Sequence, residues 1–184
     1  KQAGAKEVHL VENSIAGALG MNVPIEDNAA NMIVDLGGGT TEVAVISLGG
    51  IVCENSLRLG GDRLNETIIN FIRRKFNFAI GERTAESIKL KVGLAIPPLQ
   101  HDRLVVLGND LVTRLPRQLT LNYSDIGKLL SEQLSTIVKT VIRTLEEMPV
   151  SLIPDILDNG ITITGGGVLL NGFRSLLIKE TGKI

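Results

Sequence analysis

Apolar residues in the first part of the chain come in short runs broken by glycine and polar turns; later they fall at helical spacing. Met32 to Val34 and Val43 to Ile46 are each about as long as a strand, and between them lies Asp35-Leu36-Gly37-Gly38-Gly39-Thr40-Thr41-Glu42. This pattern predicts strands at Met32–Asp35, Glu42–Ser47 and Ile51–Leu57, the last two joined at Gly49-Gly50. They form a meander with the triglycine turn at its first corner. Ahead of it, Glu7–Val11 reads as a short strand and Ile15–Gly20 as an alanine-rich helix capped by Asn13 or Ser14. Met21–Ala30, with Pro24, Asp27 and Asn28, reads as a loop.

Gly60-Gly61-Asp62 closes the meander and opens a helix whose Leu64, Ile68, Phe71, Ile72 and Phe76 share one face. Its basic end, Arg73-Arg74-Lys75, suits the helix dipole and is a solvated helix end rather than a nucleic-acid contact. A second helix follows Gly81, Pro97-Pro98 breaks the chain, and Arg103–Leu107 and Gln118–Leu121 read as strands. The longest helix is expected from Ser124, as its cap, to Glu147, stopped by Pro149. Its apolar stripe from Ile126 to Leu145 has no polar break and is core. A last strand, Ile161–Thr164, runs into a second triglycine, Gly165-Gly166-Gly167, and Asn171 is placed to cap a final helix carrying Phe173, Leu176 and Leu177.

The chain has 184 residues, enough for one domain or for a core carrying an insertion. A 43% hydrophobic content supplies a core, and a formal net charge of -1 argues against a nucleic-acid footprint. With aromatics at 3%, base-stacking platforms are not expected either. No apolar run approaches the roughly 18 residues of a membrane span, and a single cysteine, Cys53, is expected as a small strand residue in a reducing cytoplasm. His9 and His101 have no partner at zinc-ligand spacing, and no serine or cysteine sits in a nucleophile elbow. The chain starts at Lys1 and a strand is read as starting at Gly182-Lys183-Ile184, so an internal piece of a longer protein is expected.

The glycine turns carry the candidate chemistry. Successive glycines let the backbone turn tightly and approach a ligand, and their amides can point at an anion. Asp35, ending the first strand, is placed to face that anion through a divalent metal.

Two strand-to-triglycine turns, with Asn31–Leu48, Leu57–Asn70, Ile80–Lys89, Leu115–Leu121 and Ile161–Gly172 in that order, resemble the actin-like ATPases, specifically the MreB-type cell-shape proteins of bacteria. The resemblance covers essentially the whole chain. It implies an α/β, actin-like (ribonuclease H-like) ATPase lobe: a core of residues 1–59 and 120–184 with a smaller α+β subdomain, 60–119, inserted. The chain is then expected to be the second of two lobes around a nucleotide cleft. The first phosphate loop, and the strand and helices that close this lobe, would lie outside it. The implied function is an ATP-binding filament protein that organises cell-wall synthesis and keeps cells rod-shaped. Its expected partners are its own copies, head to tail, and the elongation machinery. It would be cytoplasmic, touching the membrane only through the other lobe or an N-terminal extension. An Hsp70-type chaperone shares the DLGGGT turn and is the alternative, although such chaperones usually follow it with phenylalanine and aspartate where this chain has Thr41-Glu42. A sugar kinase would need sugar-binding polar residues, which are not evident.

Residue by residue, the resemblance assigns Gly37, Gly38, Gly39 and Thr40 to a phosphate loop of ATP and Asp35 to Mg2+ held through water. Glu86 and Lys89, one helical turn apart, lie near the adenosine, and Gly165, Gly166, Gly167, Val168 and Leu169 form the adenosine loop. Thr40 lies near the γ-phosphate water. Family members typically carry two acids and a proline where this chain reads Glu12-Asn13-Ser14, so Asn13 takes the position of the acid that polarises the attacking water. An amide can orient water but cannot take its proton. The whole protein is therefore expected to bind ATP and hydrolyse it slowly.

Overall fold

A computed structural model describes residues 2–93 and 102–182. Pro97-Pro98, His101 and the strand read as starting near Ile184 lie outside those residues. Strands β1 (Asn31–Leu36), β2 (Thr41–Ser47) and β3 (Gly50–Leu57) form the antiparallel meander. β7 (Ile161–Thr164) adds to β1 in parallel, giving the mixed order β3-β2-β1-β7. A second antiparallel sheet has the order β4 (Phe78–Ala79), β5 (Arg103–Asp110), β6 (Pro116–Asn122).

Both faces of the first sheet are covered, so its central strands are buried almost throughout. Met32, Val34, Leu36, Val43 and Val45 join a core with α4 (Tyr123–Glu147), α2 (Gly61–Phe76) and α3 (Glu82–Val92). Ile33, Ala44 and Ile46 face the other way, onto Ala18 of α1 (Asn13–Gly20) and Ile25. Side chains alternate along a strand, so Asp35 and Glu42 belong to the α1 face. The α4 stripe is core, with Ile126, Leu130, Leu134, Ile137 and Val141 fully buried. Two further helices are α5 (Ile153–Asn159), not foreseen, and α6 (Phe173–Thr181). No described helix is long and apolar enough to cross a membrane.

Several local expectations are corrected. Glu7–Val11 forms no strand; the segment has no ladder partner among the described residues, and Leu10 is 97% exposed. The β2–β3 corner is Leu48-Gly49 rather than Gly49-Gly50: both residues have positive φ, as a two-residue primed turn requires, and Gly50 is already paired with Ser47. Neither Asn13 nor Ser14 caps α1, Ser124 does not cap α4, and Asn171 does not cap α6; the caps are Glu12, Asn122 and Gly172, without side-chain bonds. Asn13 and Ser14 already lie inside the first turn of α1 and Ser124 inside that of α4, while Asn171 stands one residue ahead of the α6 cap. Ser14 Oγ donates instead to Glu54 Oε1 at 2.6 Å.

Candidate functional site

The sequence-predicted residues gather around the carboxyl end of β1. Leu36 pairs with Thr41, so Gly37–Thr40 is the whole turn, closed by the Gly37 N–H donating to the Thr40 carbonyl at 3.0 Å. The carbonyls of Gly37 and Gly38 accept from the N–H groups of Gly61 (3.0 Å) and Asp62 (2.9 Å). These are among the orphan donors of the first turn of α2, so the loop caps the helix in place of a side chain. With its carbonyls used this way, the loop keeps the N–H groups of Gly38, Gly39 and Thr40 without a backbone acceptor among the described residues.

The second glycine turn packs onto the first. Gly165 has φ +87°, and a Cβ there would run into Asp35 Oδ1 and the Leu36 carbonyl; one on Gly167 would enter the Leu36 side chain. Gly60 is equally constrained, by the carbonyls of Gly37 and Gly38. Gly39 and Gly166 are different: a Cβ on either meets nothing within 4 Å, and neither has positive φ. Packing does not require glycine there, and what the missing Cβ leaves is clear room beside each turn. Val168 and Leu169 follow in a single 3-10 turn, with Leu169 exposed.

Asp35 and Glu42 face each other across the β1–β2 ladder. Asn13, at the start of α1, donates from Nδ2 to Asp35 Oδ2 (3.2 Å) and to Glu42 Oε2 (3.0 Å). Burial, then the Glu42 carboxylate, push the Asp35 carboxyl above the usual carboxylate range, and the Asn13 bond partly offsets this. The Asp35 carboxylate, short of positive charge, suits a divalent cation. Mg2+ usually takes one or two carboxylates and keeps several waters, so the donor set fits a water-mediated ion.

Glu86 and Lys89 on α3 form an ion pair at 2.6 Å, but not an ordinary surface one: the Lys89 side chain is 7% exposed and that of Glu86 43%. Lys89 Nζ also donates to the Gly61 carbonyl at 3.2 Å, and Asn65 Nδ2 donates to Glu86 at 2.7 Å. Partial burial alone would raise the Glu86 carboxyl; the bonds from Lys89 and Asn65 outweigh it and hold it below its ordinary value. Lys89 therefore ties α3 to the residue that donates to the phosphate-loop candidate. Lys89→Met should lower stability by about 1 kcal/mol by leaving the Gly61 carbonyl short of a donor. An unchanged urea midpoint would show that this link contributes nothing.

Sequence reasoning missed Glu42, Gly60 and Asn65 as neighbours of the site. A signal for Glu42 was present: a turn that pairs residue 36 with 41 must set 35 opposite 42.

The family model for the MreB/Mbl protein matches residues 1–183. The chain belongs to the MreB/Mbl family. It is 47% identical over 180 residues to the cell shape-determining protein MreB of Escherichia coli K12, covering 98% of this chain and 52% of that protein. Against the cell shape-determining protein Mbl of Bacillus subtilis the identity is 42%, over 98% of this chain and 54% of the relative. The chain thus spans about half the length of these MreB/Mbl relatives. Among solved structures, MreB5 of Spiroplasma citri bound to AMPPNP superposes with a TM-score of 0.88 at 34% identity, over 97% of this chain and 54% of that one. The expected α/β actin-like fold is the fold found. Membership of the MreB/Mbl family sets aside the Hsp70-type chaperone reading.

Proposed function

We propose that the protein to which this chain belongs is an ATP-binding, filament-forming bacterial actin homologue that organises cell-wall synthesis and maintains rod shape. The observation that carries the reading is the convergence of two glycine turns on the end of β1, each keeping clear space at a glycine that packing does not require. The AMPPNP and ADP complexes of the Spiroplasma citri relative support it, as do the names of the cell-shape relatives.

In this reading the Gly37–Thr40 turn binds the phosphates through the free amides of Gly38, Gly39 and Thr40, while Glu86, Lys89 and Gly165–Leu169 border the adenosine. Asp35 holds Mg2+ through water, and the ion supplies charge neutralisation at the phosphates when bound. Asn13 faces the attacking water with Thr40 close by. Residues 1–59 and 120–184 act as the core subdomain and 60–119 as the smaller one. Copies assemble head to tail, a heterologous contact that extends rather than closes. The filament works in the cytoplasm with the elongation machinery and meets the membrane through parts of the protein outside this chain.

Two measurements test this. Full-length protein should sediment as polymer with ATP and Mg2+; absence of polymer together with binding of an extended peptide would overturn the reading. Calorimetric titration of residues 1–184 with ATP and Mg2+ should give weak or undetectable binding, because one wall of a cleft buries too little of a nucleotide. Tight binding by this chain alone would contradict the two-lobe site.

A further inference from the structure

The amide of Asn13 has two N–H groups and one carbonyl oxygen. Both N–H groups point at carboxylates, the shorter bond going to Glu42. Turning the amide over would set its oxygen against two acceptor oxygens, so the carboxylate pair dictates which way it faces. We propose that Glu42 is a positioning residue for ATP hydrolysis: with Asp35 it takes up both N–H groups of Asn13, and so presents the Asn13 carbonyl oxygen to the attacking water. The inference rests on the nucleotide reading above and adds a role for a residue to which the family resemblance assigned none.

Asp35 alone is a weaker guide for this amide. Its bond is the longer, and its carboxylate is also the group that would face Mg2+ through water. Glu42 has no such competing task, and β2 holds it in register: it pairs with Asp35 on one side and with Ser56 on the other. Ser14, the next residue of α1, is anchored to Glu54, which lies on the same sheet face two residues along from the partner of Glu42. The first turn of α1 is therefore tied to the sheet at both Asn13 and Ser14, and the amide has little freedom to drift.

The chemistry requires no base at residue 13. The water oxygen bonds to the γ-phosphorus as the bond from that phosphorus to its bridging oxygen breaks, and the electron pair leaves with ADP. One proton of the water stays on the product phosphate and the other passes to solvent. Because the transition state is loose, a correctly aimed water can react without strong deprotonation, and aiming it is what the amide contributes.

The experiment uses full-length protein, with phosphate release and nucleotide affinity measured side by side. Glu42→Ala should lower kcat about tenfold while KM and ATP affinity stay within about twofold. Glu42→Gln should turn over like the parent, since its amide oxygen still accepts from Asn13. In an Asn13→Ala background Glu42→Ala should have no further effect, as the two act through one contact. A thermal melt of each variant separates lost positioning from lost fold, and Glu42→Gln, nearly isosteric, provides a folded comparison. Parent-like kcat in Glu42→Ala would overturn the inference, as would a Glu42→Gln as slow as Glu42→Ala, which would make charge rather than orientation the requirement. Failure of the parent itself to bind ATP would instead overturn the proposed function.

Discussion

Replacing Gly165 by alanine should destabilise the protein by about 3 kcal/mol, whereas Gly166→Ala, one residue later, should stay within about 0.5 kcal/mol. Gly165 combines φ +87° with ψ 166°, a region essentially reserved for glycine, and its missing Cβ is where Asp35 Oδ1 and the Leu36 carbonyl sit. Backbone strain and overpacking therefore add at one residue. Neither acts at Gly166, where a Cβ meets open space. Denaturant midpoints of the two variants check this; equal midpoints would show that the second turn can move away from β1 freely. A second readout separates structure from ligand: Gly166→Ala should weaken ATP binding by full-length protein while folding normally, because the proposed adenosine loop loses its clear face. A variant that is stable and binds as the parent does would remove Gly166 from the site.

Asn13→Glu should raise the phosphate-release rate of full-length protein by about a hundredfold. A carboxylate at this position can take the proton of the water, which the amide cannot. It would also stand beside Asp35 and Glu42, and mutual repulsion raises carboxyl pKa values, moving the new base toward the pH at which it operates. The charge-neutral exchange Asn13→Glu with Glu42→Gln should keep most of the gain, since the pair persists with donor and acceptor reversed. If Asn13→Glu and the parent turn over equally, residue 13 does not face the water, and Thr40 becomes the next side chain to test.

These predictions rest on features of unequal visibility in the amino-acid order. The meander, the α4 stripe and both glycine turns were legible because each depends on local periodicity or on the absence of side chains. Helix caps were less so. Asn13 looked like a cap because its chemistry allows it, but the helix already begins at Asn13, and its amide N–H groups turn to two carboxylates of the sheet. Among the described residues the short strand β4 pairs only with β5, far along the chain, and helix α5 is a short helix with a proline in its first turn; neither carries a strong local pattern. Glu7–Val11 alternates well enough for a strand, yet strand character needs a partner, and among the described residues it has none.

For the candidate site the division is similar. Residue order alone determined that Asp35 would lie near the end of a strand at a glycine turn and that Glu86 and Lys89 would share a helix face. It could not distinguish glycines that packing demands from those it does not, because that depends on which backbone lies opposite. Only the tertiary structure decided that Gly60, Gly165 and Gly167 are filled from within while Gly39 and Gly166 stay clear. It also decided that Lys89 is buried against Gly61 and that one amide bridges Asp35 and Glu42. Such contacts join residues tens of positions apart, and their energies depend on distance and burial, neither of which local sequence encodes.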